Sequence, residues 1–557
     1  MKHRDFNVTR SAASCVLALG VLVANSAISG GESEEPHGAA RAYKIIYNWD
    51  GAPHGYSQYP QTLEQFLEKT FAPLKNTQVE ALFWCIGEHE AAWKSKTLPL
   101  VGSGEKRVYS GARSMAHHEN IRAMLARGEN PYQAMVKRGK ELGIDVFLSI
   151  RMNDNHFSGM QLDEMANANH AGLTDIRKQH PEWCLGPKNA PPWFALSWNM
   201  AIPEVREHRF LYISEAIAQA DWDGIELDWQ RHAFHLPAND AWRLRYTLTD
   251  LQRAVRQHTD AIARRRGRPF PVSIRVATTL EACKRIGYDL KTWVNERLFD
   301  ILVTGGGAGT DPGSDVEGFR KLLHGTGIRF YAGFDGGFWG EYRGLNGAKE
   351  WTEALFRGYS KAFWEREASG IYVFNWHAND KTRRALLRSI GAVKSLRGQD
   401  KVFAALHRNV RAPGLAWSGA DLNDRLLGET PTNLYRSITR SGPTFSVDVY
   451  DDVANEASAG RVKKVQLCVE LGQWAPGDVL QFSLDGQALG PPTVRTAVGD
   501  DPLDPGEVSD HTWFVWPLNP GQADRGSHSV RITLSKRDPR LKPPLSVERV
   551  EIHVDYR

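Results

Sequence analysis

The chain has 557 residues, of which 41% are hydrophobic and 24% charged, enough for two or three domains with sizeable cores. Its net charge is +4, and Lys2, Arg4 and Arg10 against Asp5 supply +2 of that at the N-terminus. A large chain this close to neutrality gives no electrostatic reason to expect nucleic acid or a membrane surface as partner.

Residues 1–29 read as a secretory signal: a basic start, the apolar "CVLALGVLVA", then the small residues "NSAISG". The expected location is therefore secreted or periplasmic. Cys15 precedes the apolar run, which argues against lipid attachment. No later run approaches the about 18 unbroken apolar residues of a membrane span. Residues 30–40 are a polar linker. Cys85, Cys184, Cys283 and Cys468 are far apart and lack CxxC spacing, so buried thiols are expected rather than a disulfide framework.

From residue 41 to 398, eight short apolar runs alternate with helix-like stretches: "YKIIYNW", "VEALFWCI", "IDVFLSI", "DGIELDW", "PVSIRVA", "FDILVTG", "IRFYAGF" and "GIYVFNW". In "NPYQAMVKRGKELG", Asn130 can cap a helix, Pro131 suits its first position and Gly143 closes it. Pro203 and Glu204 open another helix, which ends at the turn around Asp221. Eight strands alternating with helices predict a (β/α)8 TIM barrel, with its largest insertion between the third and fourth strands. Residues 402–557 change character. Period-two alternation, as in Val465, Leu467 and Val469 or Val530, Ile532 and Leu534, together with the hairpin signal Asp485-Gly486, predicts an all-β sandwich. That domain is expected to be structural or to bind carbohydrate.

Alternation also assigns faces. In "DGIELDWQRHAFH", Ile225, Leu227 and Trp229 pack outward, so Glu226, Asp228 and Gln230 point inward and rise toward the C-terminal mouth. Ser149, Arg151 and Asn153 face in from the third strand, and Ser273 and Arg275 from the fifth. Arg329, Tyr331, Gly333 and Asp335 do so from the seventh. Buried charges survive when paired, so the deeper Glu226 is expected to pair with an arginine. Asp228 lies nearer the mouth, where barrel enzymes place their chemistry, and Asp335 is a second mouth carboxylate. Two carboxylates flanking a cleft are what glycosidic cleavage requires: one protonates the leaving oxygen, while the other attacks or activates water. An apolar setting suits the proton donor, and Trp229 and Trp339 are neighbours in sequence. The chain also has 18 tryptophans, a residue type that often floors sugar clefts.

The stretch "DGIELDWQ" resembles the fourth-strand signature of family 18 chitinases, DGxDxDxE, at Asp223, Gly224 and Asp228. Glu226 replaces an aspartate, and Gln230 stands where that family has its proton-donating glutamate; a glutamine cannot be a general acid. The combination of "IPEVREH", "WDGIELDWQRH" and "SIRMNDNHF" resembles the glycosyl-hydrolase-like-10 group of secreted barrel proteins over most of the barrel. That resemblance implies sugar chemistry and carries Arg151, Asn153, Asp154, His156, Asp228 and Arg231 as site positions.

Catalytic candidates are thus Asp228, Asp335 and Glu226. Substrate-binding candidates are Trp49, Asp50, Arg151, Asn153, Asp154, His156, Gln230, Arg231, His232, Arg275, Trp376 and His377; Glu88, His89 and Asn375 also end strands. The substrate is expected to be a carbohydrate, and the arginines raise the expectation of an anionic one, uronate or sulfated. No cofactor is expected: "TGGGAG" lacks the spacing and lysine of a phosphate loop. A metal site from Asp154, His156, His232 and His235 is a rival reading, though without a recognised ligand spacing. A sugar-binding protein with a degenerate site is another.

Overall fold

The eight apolar runs are the eight parallel strands of a closed barrel in this computed structural model. It describes residues 40–49, 58–86, 90–100, 109, 111–154, 160–168, 173–191, 194–305, 313–335, 349–406, 429–437, 442–495 and 510–557. The strands are β1 (Ile45–Trp49), β2 (Val79–Cys85), β3 (Asp145–Arg151), β4 (Gly224–Asp228), β5 (Val272–Val276), β6 (Ile301–Thr304), β7 (Arg329–Asp335) and β8 (Gly370–Phe374). They pair in chain order, and β8 closes on β1. The expected signal segment and linker lie outside the described residues, Ala40 excepted. Among the described residues no helix is long and apolar enough to cross a membrane.

Local chemistry sets the helix ends as read from the sequence. Asn130 Oδ1 accepts from the amides of Tyr132 and Gln133, Pro131 opens the helix Pro131–Leu142, and Gly143 closes it in the left-handed region. Residues 152–202 form the insertion, organised around two small clusters. One gathers Met165, Leu173, Cys184 and Leu196; the other holds Leu185, Ala190 and Phe194 against Phe234. Cys85, Cys184, Cys283 and Cys468 are buried and outside any disulfide.

The barrel has two apolar compartments. Outward residues such as Ile45, Ile225, Leu227, Trp229 and Ile274 pack against the helices. Inside, Ile46, Phe83, Phe147, Ile301, Val303, Tyr331, Tyr372 and Phe374 fill the barrel, with Phe83 and Phe147 stacked at 4.5 Å. The barrel is thus a packed core and not a pore.

The C-terminal part is a sandwich of two antiparallel sheets. One holds β9 (Lys401–Ala404), β10 (Thr432–Leu434), β12 (Val462–Gly472), β15 (Thr493–Arg495), β16 (His511–Pro517) and β18 (Leu545–Tyr556). The other comprises β11 (Thr444–Val449), β13 (Val479–Leu484), β14 (Gln487–Ala488) and β17 (Gly526–Lys536). Asp485 (φ 50°) and Gly486 (φ 81°) make the turn between β13 and β14. Positive φ at both positions is what a tight type I′ hairpin demands, and Asp-Gly supplies it cheaply.

The alternating residues Val465, Leu467 and Val469 fill the sandwich core, whereas Cys468, Trp513 and Val515 on the opposite sheet face join the barrel's helical core. The helix Lys349–Glu365 approaches β9 so closely that a Cβ at Gly358 would lie 1.9 Å from the Val402 carbonyl oxygen. Arg366 reinforces the contact through the Tyr450 hydroxyl (2.6 Å) and Asp448 (3.1 Å). Gly358→Ala is therefore expected to destabilise the whole chain by about 1–3 kcal/mol, as overpacking does. A lowered thermal midpoint checks this; an unchanged one contradicts the contact.

Candidate active site at the barrel mouth

Strand register builds the site. Ser149, Glu226 and Ser273 lie side by side across β3, β4 and β5, and one step higher so do Arg151, Asp228 and Arg275. Pleating turns all six inward, which stacks a polar layer under a charged one. Tyr372 and Phe374 face the same layers from β8.

In the lower layer Glu226 is fully buried. Ser149 Oγ donates to its Oε2 at 2.6 Å and Asn48 Nδ2 at 2.7 Å. The Tyr372 hydroxyl lies beside the same carboxyl, and Oε1 is buried without a hydrogen bond. The ion pair expected between Glu226 and an arginine does not form. Register places Arg275 opposite Asp228, so the guanidinium acts on Glu226 only through its charge. Burial, with the charge of Asp228 added, pushes Glu226 up to about 7. Burial and the charge of Glu226 together drive the Tyr372 hydroxyl well above its ordinary range.

In the upper layer Arg275 Nη1 donates to both oxygens of Asp228, at 3.0 and 3.1 Å. The amides of Gln230 (3.1 Å) and Arg231 (2.9 Å) also donate to Asp228 Oδ1, so the carboxylate clamps the turn that follows its own strand. Asp228 is only 1% exposed. The Arg275 guanidinium stacks on the Phe374 ring at 4.1 Å, and Arg231 approaches the same ring at 5.9 Å. Gly305, just after β6, makes room for this, because a Cβ there would meet Arg275 Nε at 2.9 Å. Arg151, although opposite Asp228, bonds Asp154 at 2.8 Å, three residues along its own loop. Burial pulls the Arg151 guanidinium down, against the opposing pull of Asp154. His232, at φ 59°, sets its Nδ1 3.9 Å from Asp154 Oδ1. His377 is exposed at the end of β8, and partial burial with the charges of Arg383 and Arg113 lowers its pKa.

Three residues expected at the substrate are packed inside the protein. Trp49 lies on the outer face with Ile45 and Tyr47, its ring stacked on Trp84 at 6.3 Å. Trp376 packs on Phe356 in the helical layer and donates its indole N–H to the Arg383 carbonyl at 2.9 Å. Asn153 is consumed as a clasp: it accepts from the Trp198 amide (2.9 Å) and donates to the carbonyls of Trp198 (3.2 Å) and Phe234 (3.1 Å). The metal reading loses His235, whose Nε2 meets the Trp229 carbonyl at 2.9 Å and whose Nδ1 meets Asn153. No group of three or more His, Cys, Asp or Glu side chains converges among the described residues. Asp50, Glu88, His89, His156 and Trp339 lie outside the described residues, as does the side chain of Asp335, whose backbone ends β7. Asn48, Tyr372 and Phe374 were not anticipated, although alternation applied to β1 and β8 points each of them inward.

No family model matches this chain, and no curated protein does. Among solved structures, a chitinase from Paenibacillus sp. is 11% identical with a TM-score of 0.38; the match covers 88% of this chain and 39% of that one. An alpha-amylase from Anoxybacillus is 10% identical, TM-score 0.33, over 89% of this chain and 98% of that one. The glycoside hydrolase domain of PgaB from Bordetella bronchiseptica is 9% identical, TM-score 0.38, over 63% of this chain and 99% of that one. These proteins are glycoside hydrolases with which the chain shares distant structural likeness, and no residue role is transferred from them.

Proposed function

We propose that the chain is a secreted glycoside hydrolase acting on a poly- or oligosaccharide at the C-terminal mouth of the barrel. The observation that carries this reading is the pair of carboxyl groups on β4, held two residues apart in opposite settings. Burial raises Glu226 to about 7, and Asp228 lies against a guanidinium and two amides. Setting neighbouring carboxyl groups in contrasting environments is how such sites divide roles between them. Asp228 is the carboxylate presented to the reacting sugar, Asp335 at the end of β7 supplies the second, and Glu226 lies one layer below. Arg151, Asp154, Gln230, Arg231, His232, Arg275 and His377, with Asp50 and His156, surround the substrate. The guanidiniums of Arg151, Arg231 and Arg275 at the mouth are the feature that favours a uronate or sulfated glycan.

One observation favours a second reading, a carbohydrate-binding protein without turnover: both Asp228 oxygens are already taken, and Gln230 replaces a carboxylic acid. A panel of neutral, uronate and sulfated polysaccharides, assayed for new reducing ends with wild type and Asp228→Asn, separates the two. The hydrolase reading expects release that falls at least about 100-fold in the variant and is indifferent to chelator. Binding without release supports the second reading. Equal turnover of neutral and charged glycans removes the anionic preference.

A further inference from the structure

Among the described tryptophans, Trp242 is the one whose side chain is exposed, at 39%, and Tyr246 one helical turn later is 57% exposed. They flank Arg245, whose helical backbone (φ −50°, ψ −29°) joins the short helix Ala241–Leu244 to Tyr246–Arg266. These helices follow β4, so their first turns stand on the mouth side of the barrel, and side chains four apart share a face.

The Trp242 ring is seated rather than loose. The Arg245 guanidinium stacks on it at 4.5 Å; its Nη1 donates to the Trp242 carbonyl (2.8 Å) and its Nε to Asp289 (3.1 Å). Lys284 Nζ lies 5.6 Å from the ring centre. The segment carrying Lys284 and Asp289 is stitched to the end of β4. Gly287, at φ 91°, packs so tightly that a Cβ would meet the Ala241 carbonyl at 2.8 Å, and the Tyr288 hydroxyl donates to the Trp229 carbonyl at 2.5 Å. The next residue, Gln230, is tied to Asp228 through its amide. The ring and the mouth carboxylate therefore belong to one rigid edge.

We infer that Trp242 and Tyr246 form an outer subsite that stacks on sugar rings of an extended polysaccharide as it crosses the rim over β4 and β5. The inference rests on the carbohydrate reading of the mouth. A pyranose presents an apolar C–H face and a hydroxylated edge. A preordered aromatic surface fits the first, and the neighbouring Asp240, Arg243, Glu281 and Lys284 side chains supply donors and acceptors for the second. Fixing the ring beforehand lowers the ordering cost of binding.

Native gels containing xylan, starch, carboxymethyl-cellulose, chitosan or polygalacturonate test this with the full-length chain. The expected result is retardation of wild type by at least one polymer. Trp242→Ala and Tyr246→Ala should weaken apparent affinity about five-fold. Trp242→Phe and Tyr435→Ala, an exposed tyrosine on the sandwich, should be retarded like wild type. Thermal midpoints equal to wild type for the two alanine variants exclude misfolding. Unchanged retardation of Trp242→Ala, loss confined to Tyr435→Ala, or no retardation of wild type by any polymer overturns the subsite. Reducing-end release on the same polymers is read separately. Trp242-dependent binding without release leaves the subsite standing and overturns the hydrolase; release with Trp242-independent binding does the reverse.

Discussion

Arg275→Met and Asp228→Asn are each expected to cost the fold about 3–5 kcal/mol, whereas the double variant should lose clearly less than their sum. The pair is almost inaccessible to water, and one nitrogen of Arg275 serves both oxygens of Asp228. Removing the guanidinium leaves a buried carboxylate with two amides as its main support. Removing the carboxylate leaves a buried cation stacked on Phe374. Neutralising both removes the charges that made each single change expensive. A coupling of at least about 2 kcal/mol from urea unfolding of the four proteins is the expected outcome. Additive losses would mean that the ion pair contributes nothing beyond its separate members. The same cycle guards the functional assay, since loss of turnover in Asp228→Asn counts as chemistry only where the variant remains folded.

The second large effect is on pH dependence. In the folded chain Glu226 keeps its proton up to about pH 7, whereas a carboxyl in the unfolded chain releases it near its ordinary 4.5. Between those values the native state binds more protons, so stability is full below about pH 4.5 and declines as pH rises through 7, by roughly 3 kcal/mol in total. Glu226→Gln should abolish that slope and be the more stable protein at pH 8. An amide oxygen still accepts from Ser149 and Asn48, and the amide removes the charge that burial disfavours. Urea midpoints of both proteins from pH 5 to 8 decide it. Parallel profiles would show that Glu226 is already ionised inside the barrel.

The barrel was legible because its strands are buried on both faces and read as apolar runs of four to seven residues. Alternation then placed Glu226, Asp228, Arg151 and Arg275 on the inner face. What alternation cannot supply is register, and register decides partners: a slip of two residues, which keeps every side chain on its face, separates Arg275 beside Asp228 from Arg275 beside Glu226. Trp49 was readable as outward from Ile45 and Tyr47 in its own strand. Trp376 was not, because Asn375 adopts φ 50° immediately after β8 and breaks the alternation that carries Tyr372 and Phe374 inward. Asn153 was assigned to substrate on likeness, and its three hydrogen bonds to Trp198 and Phe234 join segments 45 and 81 residues away that no local pattern reveals. Trp242 escaped notice for the opposite reason: its helix start carries no motif, and only exposure distinguishes it from its buried counterparts.

The contact of Val402, Cys468, Trp513 and Val515 with the barrel's helical layer gives the boundary near residue 400 a particular meaning. It is a seam in topology without being a seam in cooperativity. Cut there, each fragment would present to water a broad face built for dryness, and each would tend to self-associate. The β-sandwich is thus no interchangeable appendage hung on a linker. It is the outer wall of the barrel where these four residues pack.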